Sequence, residues 1–311
     1  MIDAEQLLRA ANRPLVIGIG GGGDVVGALA TAEHARLHHR ADPLVGGVSW
    51  ERRPIDPHPG PRRADEIAGA RELAPCVLAA SGETHIRASG VRFAESHLAE
   101  HLGQEVILVD PNPGPGAIAE GLAAVAETLA TDLLVFVDVG GDALAHGDEP
   151  GLASPLCDSL LLAAAAELQD AGHAVMGGIF GIGCDAELTL AELDARFAEL
   201  AGAGGLAGVT GLTPTVAESL ERAVEAVPTE ASAQPLRAFR GARGPQEIRA
   251  GRRTVSLSPV AALTAYFDVA AALRSTARLA AAVRGTRSLD EANDALHALG
   301  VRSELDYERA A

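Results

Sequence analysis

An apolar run, Pro14–Ile19, leads directly into Gly20-Gly21-Gly22-Gly23-Asp24. Glycines let the backbone approach a phosphate closely, and a helix that follows aims its free N–H groups at the anion. Gly18-x-Gly20-x-x-Gly23 matches the dinucleotide-binding spacing. The acid that should bind the ribose about 20 residues on is displaced to Glu51. Asp24 places a negative charge where a pyrophosphate would meet the helix. Gly20, Gly21, Gly22, Gly23 and Asp24 are therefore expected to hold a phosphate or a sugar. A structural turn capped by Asp24 is the competing reading. The second constellation is Trp50-Glu51-Arg52-Arg53, which runs through a proline-rich stretch to Arg62. Arg52, Arg53 and Arg62 could clamp an anion bidentately, with Glu51 as a catalytic carboxylate. A rigid loop with surface ion pairs is the alternative.

The third constellation is Asp138-Val-Gly-Gly-Asp142, continuing through His146 and Glu149 to Ser154-Pro-Leu-Cys-Asp158. The Gly140-Gly141 turn can return Asp142 toward Asp138, and such a pair binds Mg2+ or Ca2+ through oxygen, with Glu149 as a further ligand. Alternatively, one of the two acts as a general base, its pKa raised by its neighbour. Ser154 is expected at the phosphate or sugar, although Ser-Pro also reads as a helix start. Asp185 and Glu187, after a second glycine-rich strand exit, could form the opposite wall. His34/His38 and His97/His101 are spaced i, i+4 on expected helices, a spacing that can bind metal; they read as solvated helix faces. His58 and His146 lie in the suspect loops and are acid/base candidates. Cys76, Cys157 and Cys184 are too scattered for a disulfide framework or a structural zinc site.

Composition removes several mechanisms. All 25 basic residues are arginine, so a Walker A lysine and Schiff-base chemistry are both excluded. A net charge of −17 without a basic cluster argues against nucleic acid as partner. No run reaches the roughly 18 apolar residues of a membrane span, and the acidic amphipathic start is unlike a secretory signal. A cytoplasmic protein is expected. With 48% hydrophobic residues and mean hydropathy +0.15, the 311-residue chain can bury a large core.

The elements that must position these residues alternate. Strands are expected at Leu15–Ile19, Leu44–Val48, Cys76–Ala80, Glu105–Val109, Leu133–Val137 and Ala174–Phe180. Helices are expected at Val25–His38, Val91–Leu102, Gly116–Leu129 and Pro155–Ala171. Short apolar strands without polar alternation suit a parallel sheet covered on both faces. The expected fold is α/β, a doubly wound, mostly parallel, Rossmann-like sheet with a helical C-terminal portion. Helices are expected at Leu190–Leu200, Thr213–Ala226, Pro235–Arg240, Pro259–Leu279 and Leu289–Leu299, the last capped by Ser288, with a strand or hairpin arm at Ile248–Leu257. One α/β domain over 1–311 is expected, with 228–311 as a candidate helix-rich extension. Asp24, Glu51, Asp110 and Asp138 then fall at strand exits, where open α/β sheets bind ligands.

Four strings occur in order: Ile19-Gly-Gly-Gly-Gly-Asp-Val-Val26; Trp50-Glu-Arg52 with Asp56-Pro and Pro59-Gly-Pro-Arg62; Asp138-Val-Gly-Gly-Asp142; and Ser154-Pro-Leu-Cys-Asp158. Together the chain resembles a family of archaeal and bacterial proteins defined only as a domain of unknown function. The likeness covers most of the chain and implies the same site strings, without a substrate.

The expected function is an enzyme acting on a nucleotide, nucleoside or phosphorylated sugar, by metal-assisted hydrolysis or group transfer. Asp138, Asp142 and Glu51 would be catalytic, and Mg2+ or Ca2+ the cofactor. An NAD(P)-dependent oxidoreductase and a non-catalytic ligand-binding protein are the alternatives. The expected partners are a small-molecule substrate and, as a homo-oligomer, further copies of the chain.

Overall fold

The computed structural model describes residues 2–310. Eleven strands form: β1 (Pro14–Gly18), β2 (Leu44–Val48), β3 (Ile67–Ala74), β4 (Val77–Ile86), β5 (Val106–Val109), β6 (Leu133–Val139), β7 (Val175–Phe180), β8 (Leu206–Gly211), β9 (Gly244–Ile248), β10 (Arg253–Leu257) and β11 (Leu263–Phe267). The helices are α1 (Ala4–Ala10), α2 (Asp24–His34), α3 (Ala94–Leu102), α4 (Pro115–Leu129), α5 (Pro155–Asp170), α6 (Leu190–Gly202), α7 (Pro214–Ala226), α8 (Gln234–Phe239), α9 (Val269–Arg274), α10 (Arg278–Val283), α11 (Leu289–Ala298) and α12 (Glu304–Ala310). Nine strands make one mixed sheet in the order β3-β4-β5-β2-β1-β6-β7-β11-β8. The central run from β5 to β7 is parallel. The outer strands β3, β4, β11 and β8 pair antiparallel, and β9 and β10 form a separate hairpin.

Successive strand residues point to opposite faces, and both faces of the centre are buried. Leu15, Ile17, Leu134 and Phe136 pack with Ile118 and Leu122 of α4 and Leu160 and Leu161 of α5. Val16, Val135 and Val137 pack on the other side with Val25 and Leu29 of α2, Leu98 of α3 and Leu220 of α7. This two-sided burial is why the central strands read as unbroken apolar runs.

The chain steps from β1 to β2 on one side, whereas α4 carries it back across to β6 on the other side of β1. The sheet therefore has its switch point between β1 and β6, and a crevice opens beyond their carboxyl ends.

Two expectations fail at the edges. Pro259–Leu279 is not one helix: a 3-10 turn at Pro259–Ala262 leads into β11, followed by α9 and α10. Leu263-Thr-Ala-Tyr-Phe267 slots between β7 and β8, and sheet pairing overrides the helical propensity of its alanine-rich surroundings. The expected Cys76–Ala80 strand runs on to Ile86 and pairs with β3, an unforeseen edge strand in which Arg71 and Glu72 are both exposed. Residues 228–311, expected to be helix-rich, thus also supply β11 to the main sheet and set α10, α11 and α12 against α5.

Candidate functional site

The glycine turn closes the crevice from the β1 side. Gly21 and Gly22 have φ of +78° and +52°, a left-handed backbone that other residues adopt at a cost. A side chain at Gly20 would collide with the Asp24 carboxylate, and one at Gly23 with Thr229. The turn is pinned by its own bonds. The Gly20 N–H donates to Asp24 Oδ2 at 3.0 Å, and the Gly22 N–H donates to the Trp50 carbonyl at 3.0 Å. Among the described residues the N–H groups of Gly21 and Gly23 donate to no other backbone group. Ser232 Oγ donates to the Gly23 carbonyl at 2.9 Å and anchors the outer lip.

Across the switch point, Asp138 is the penultimate residue of β6, and its Oδ2 accepts the Ala143 N–H at 3.1 Å. Gly140 and Gly141 both sit at φ +127°, and a side chain at Gly140 would overlap the Asp185 carboxyl group. The turn therefore admits Asp185, which arrives after β7. Asp142 opens a short 3-10 turn, and Asp158 stands in the first turn of α5. The result is two groups of three acids, Asp24/Asp138/Asp158 and Asp142/Asp185/Glu187, each with ligand atoms within 4.8 Å of one another. All but the half-buried Asp24 are buried. Asp142 Oδ2 and Asp158 Oδ1 are enclosed without a hydrogen-bond partner. Both groups open on one cleft of about 190 Å3, with Arg53, Thr229 and Arg249 at its rim.

Burial dominates the electrostatics. It raises Asp24 to about 7, opposed by the N–H groups of Gly20 and Val139 and by Arg52. It raises Asp185 to about 7, reinforced by the charge of Glu187. Asp138 lies well above the usual carboxylate range through burial and then Asp24 and Asp185. Asp142 does so through burial and then Asp158 and Glu187, and Asp158 through burial and then Asp138 and Asp24. Glu187 is better supported: it accepts the N–H groups of Ala153 and Ser154 and the Ser154 hydroxyl, and lies 3.7 Å from Arg249 and 3.6 Å from Arg253.

The structure distributes the expected residues unevenly. Gly20, Gly21, Gly22, Gly23, Asp24, Glu51, Arg52, Arg53, Asp138, Asp142 and Ser154 all line the cleft. Asp138 and Asp142, expected as a pair, fall in different triads. Glu51 accepts the Ala94 N–H at 2.5 Å, capping α3 from the end of β2, and burial lifts its pKa to about 7. Arg52 reaches inward rather than toward a ligand. It donates to the Gly20 carbonyl at 2.7 Å, stacks over Trp50 at 4.2 Å and pairs with Glu304 and Glu308. Arg62 does not line the cleft. It pairs with Asp56 at 2.9 Å and donates to the carbonyls of His58, Pro59 and Gly60, which makes it the internal brace of the proline-rich loop. Glu149 also lies apart, accepting the N–H groups of His146 and Gly147 and pairing with Arg196 at 3.1 Å. His146 is bound to Glu199, His58 lines a separate pocket of about 570 Å3, and Asp110 accepts the Ala64 and Asn112 N–H groups.

The two triads also contain Asp24, Asp158, Asp185 and Glu187, none of which is in the expected metal set. Each follows a visible signal: Asp24 directly follows the glycine turn, Asp158 is four residues after the Ser154-Pro155 helix start, and Asp185 and Glu187 follow a glycine-rich strand exit. Glu304 gave no signal. It accepts the N–H groups of Leu156 and Cys157 at 3.0 and 2.9 Å, capping α5 from the far end of the chain.

Residues 15–311 match the family described as Protein of unknown function (DUF1152). The chain belongs to that family. Neither a curated protein nor a solved structure matches it. The DUF1152 match begins at β1 and spans both triads, in agreement with the four ordered strings. Among the described residues no helix is long and apolar enough to cross a membrane.

Proposed function

We propose that the protein is a metal-dependent enzyme that acts on a nucleotide, nucleoside or phosphorylated sugar by hydrolysis or group transfer. The observation that carries this reading is the pair of carboxylate triads facing the glycine turn, with Asp142 Oδ2 and Asp158 Oδ1 unpartnered. Clustered charges in a poorly solvated cleft are costly unless protons or cations neutralise them. Divalent cations neutralise two charges each and use the free oxygen lone pairs, and oxygen-only donors suit Mg2+, Ca2+ or Mn2+. Two such ions in neighbouring sites can hold phosphoryl oxygens and lower the pKa of a bound water. In this reading Asp24, Asp138 and Asp158 hold one ion, and Asp142, Asp185 and Glu187 the other. The Gly21 and Gly23 N–H groups bind an anionic oxygen, Arg53 and Arg249 attract the substrate, and Glu51, poised near 7, shuttles a proton.

The NAD(P) reading has less support. Carboxylates dominate the cleft lining, and Asp24 places a negative charge where a dinucleotide pyrophosphate would meet the N-terminus of α2. Thermal-shift measurements with nucleotides and sugar phosphates, with and without Mg2+ or Mn2+, test the proposal. A ligand at 100-fold over its Kd adds about 2.7 kcal/mol, and this gain should require the cation and vanish in Asp138→Asn. Stabilisation by NAD alone, indifferent to Asp138→Asn, would replace this reading with the oxidoreductase one.

A further inference from the structure

A second constellation of donors lies at the other end of α2, about 15 Å along the helix axis from Asp24 at 1.5 Å per residue. The last turn of this helix widens: Ala35–His39 is a π-turn. In a π-turn the backbone bonds run from i to i+5, so residues five apart stack where an α-helix would separate them. His34 and His39 are thereby brought to one side, with ring centroids 5.4 Å apart. Glu5, in the first turn of α1, completes the group, with its Oε2 3.6 Å from His39 Nε2. The three ligand atoms all lie within 4.8 Å of one another.

Two of these metal-donor atoms make no hydrogen bond within the protein. His34 Nδ1 and His39 Nε2 are both enclosed without a hydrogen-bond partner, although the His39 side chain is only 7% exposed. Leaving such enclosed atoms unsatisfied is costly. The first carboxylate oxygen of Glu5 is held by Arg9 at 2.7 Å, which leaves the second facing the imidazoles.

We propose that Glu5, His34 and His39 form a separate site for an imidazole-preferring divalent cation of the zinc class. Two imidazoles and one carboxylate are a donor set for Zn2+ with an open fourth position. Tetrahedral zinc with bonds of about 2.0–2.1 Å needs donors roughly 3.3 Å apart, so the three must draw together by up to about 1.5 Å. Glu5 is exposed on a separate short helix, and its Oε2 is already 3.6 Å from His39 Nε2. Water or His38, whose ring is 4.8 Å from that of His34, fills the fourth position. Bound metal would clasp α1 to the end of α2. This site shares no residue with the carboxylate cleft and does not depend on the function proposed for it.

The experiment is a calorimetric titration of the chelator-treated full-length protein with Zn2+, repeated with Co2+ to read the visible absorption of a tetrahedral nitrogen-containing site. Wild type should bind one equivalent tightly. Outer-shell changes alone cost 10–100-fold in metal affinity, so His39→Gln should weaken binding by about 100-fold and Glu5→Gln by at least about 10-fold. Asp138→Asn should leave this component intact. Glu5→Gln lies on the surface and keeps the test decisive if His39→Gln does not fold. Zn2+ binding unchanged by both substitutions, or abolished by Asp138→Asn, overturns the proposal.

Discussion

Asp158 carries the electrostatic problem of the cleft in one side chain. It stands in the first turn of α5, where a negative charge is favoured by the helix dipole. Burial and the charges of Asp138 and Asp24 oppose that charge, and its Oδ1 has no partner. A residue held against its own stability points to a ligand that relieves it. Asp158→Asn removes the repulsion and keeps the shape. At pH 8 without divalent cations the variant should therefore be more stable than wild type by about 1–3 kcal/mol, measured by urea unfolding. Its response to Mg2+ or Mn2+ should weaken at least about tenfold. Lower cation-free stability with an unchanged cation response would sink the idea. The same scale shows why arginine roles were hard to read in advance. Arg52, Arg53 and Arg62 look equivalent in sequence, yet Arg52 is committed to Glu304 and Glu308, Arg62 to Asp56, and Arg53 alone is exposed at the rim.

α12 shows how an element remote in sequence holds the site. Glu304 caps α5 and pairs with Arg52. Glu308, one turn later, accepts the Trp50 Nε1–H at 3.1 Å and the Gly60 N–H at 2.7 Å. One short helix thus ties the proline-rich loop to the start of α5 and so positions both Asp158 and the Gly20 carbonyl. Glu304→Ala would orphan two buried N–H groups and leave Arg52 with one fewer counter-charge. The expected cost is about 2–4 kcal/mol, with a lower denaturation midpoint and weaker cation affinity together. Glu304→Gln, which retains an acceptor, should lose less than half as much. Equal losses in the two variants would mean that charge rather than capping is what matters. Elements of this kind resist prediction because a polar seven-residue helix has no pattern that declares its partner. β11 resisted for the opposite reason: its local composition favours a helix, and only the open edge of β7 makes it a strand.

For the whole molecule, the raised carboxylates set the sign of the pH dependence. Asp24, Glu51 and Asp185 titrate near 7 when folded, against about 4 when unfolded, and Asp138, Asp142 and Asp158 lie above the usual range. The folded state therefore binds more protons across this window than the unfolded chain does. The stability these groups contribute is complete below the unfolded pKa and is lost as pH rises through 7. His34, with a folded pKa of about 4, and Asp306, at about 2, act in the opposite sense, but only below about 6.5. Between pH 6.5 and 8 the cation-free protein should lose stability, on the order of a few kcal/mol, as followed by chemical denaturation. Saturating Mg2+ or Mn2+ should flatten or reverse that slope, because ions replace the protons. A cation-free stability that rises over this interval would contradict the electrostatic account.

Strand-to-helix alternation, the two-sided burial of Leu15–Ile17 and Leu134–Phe136, and the glycine turn before Asp24 were all determined by the sequence alone. They rest on local periodicity and on backbone conformations open to glycine. The placing of Asp24 and Glu51 at strand exits followed from the same pattern. Only the tertiary structure decided which acids meet. Asp138 and Asp142 are four residues apart yet join different triads, while Asp24 and Asp158 share one. The parallel sheet brings the ends of β1, β6 and β7 together, and α12 returns from the far end of the chain to cap α5. Such meetings depend on strand order and helix packing, which no local run of residues encodes.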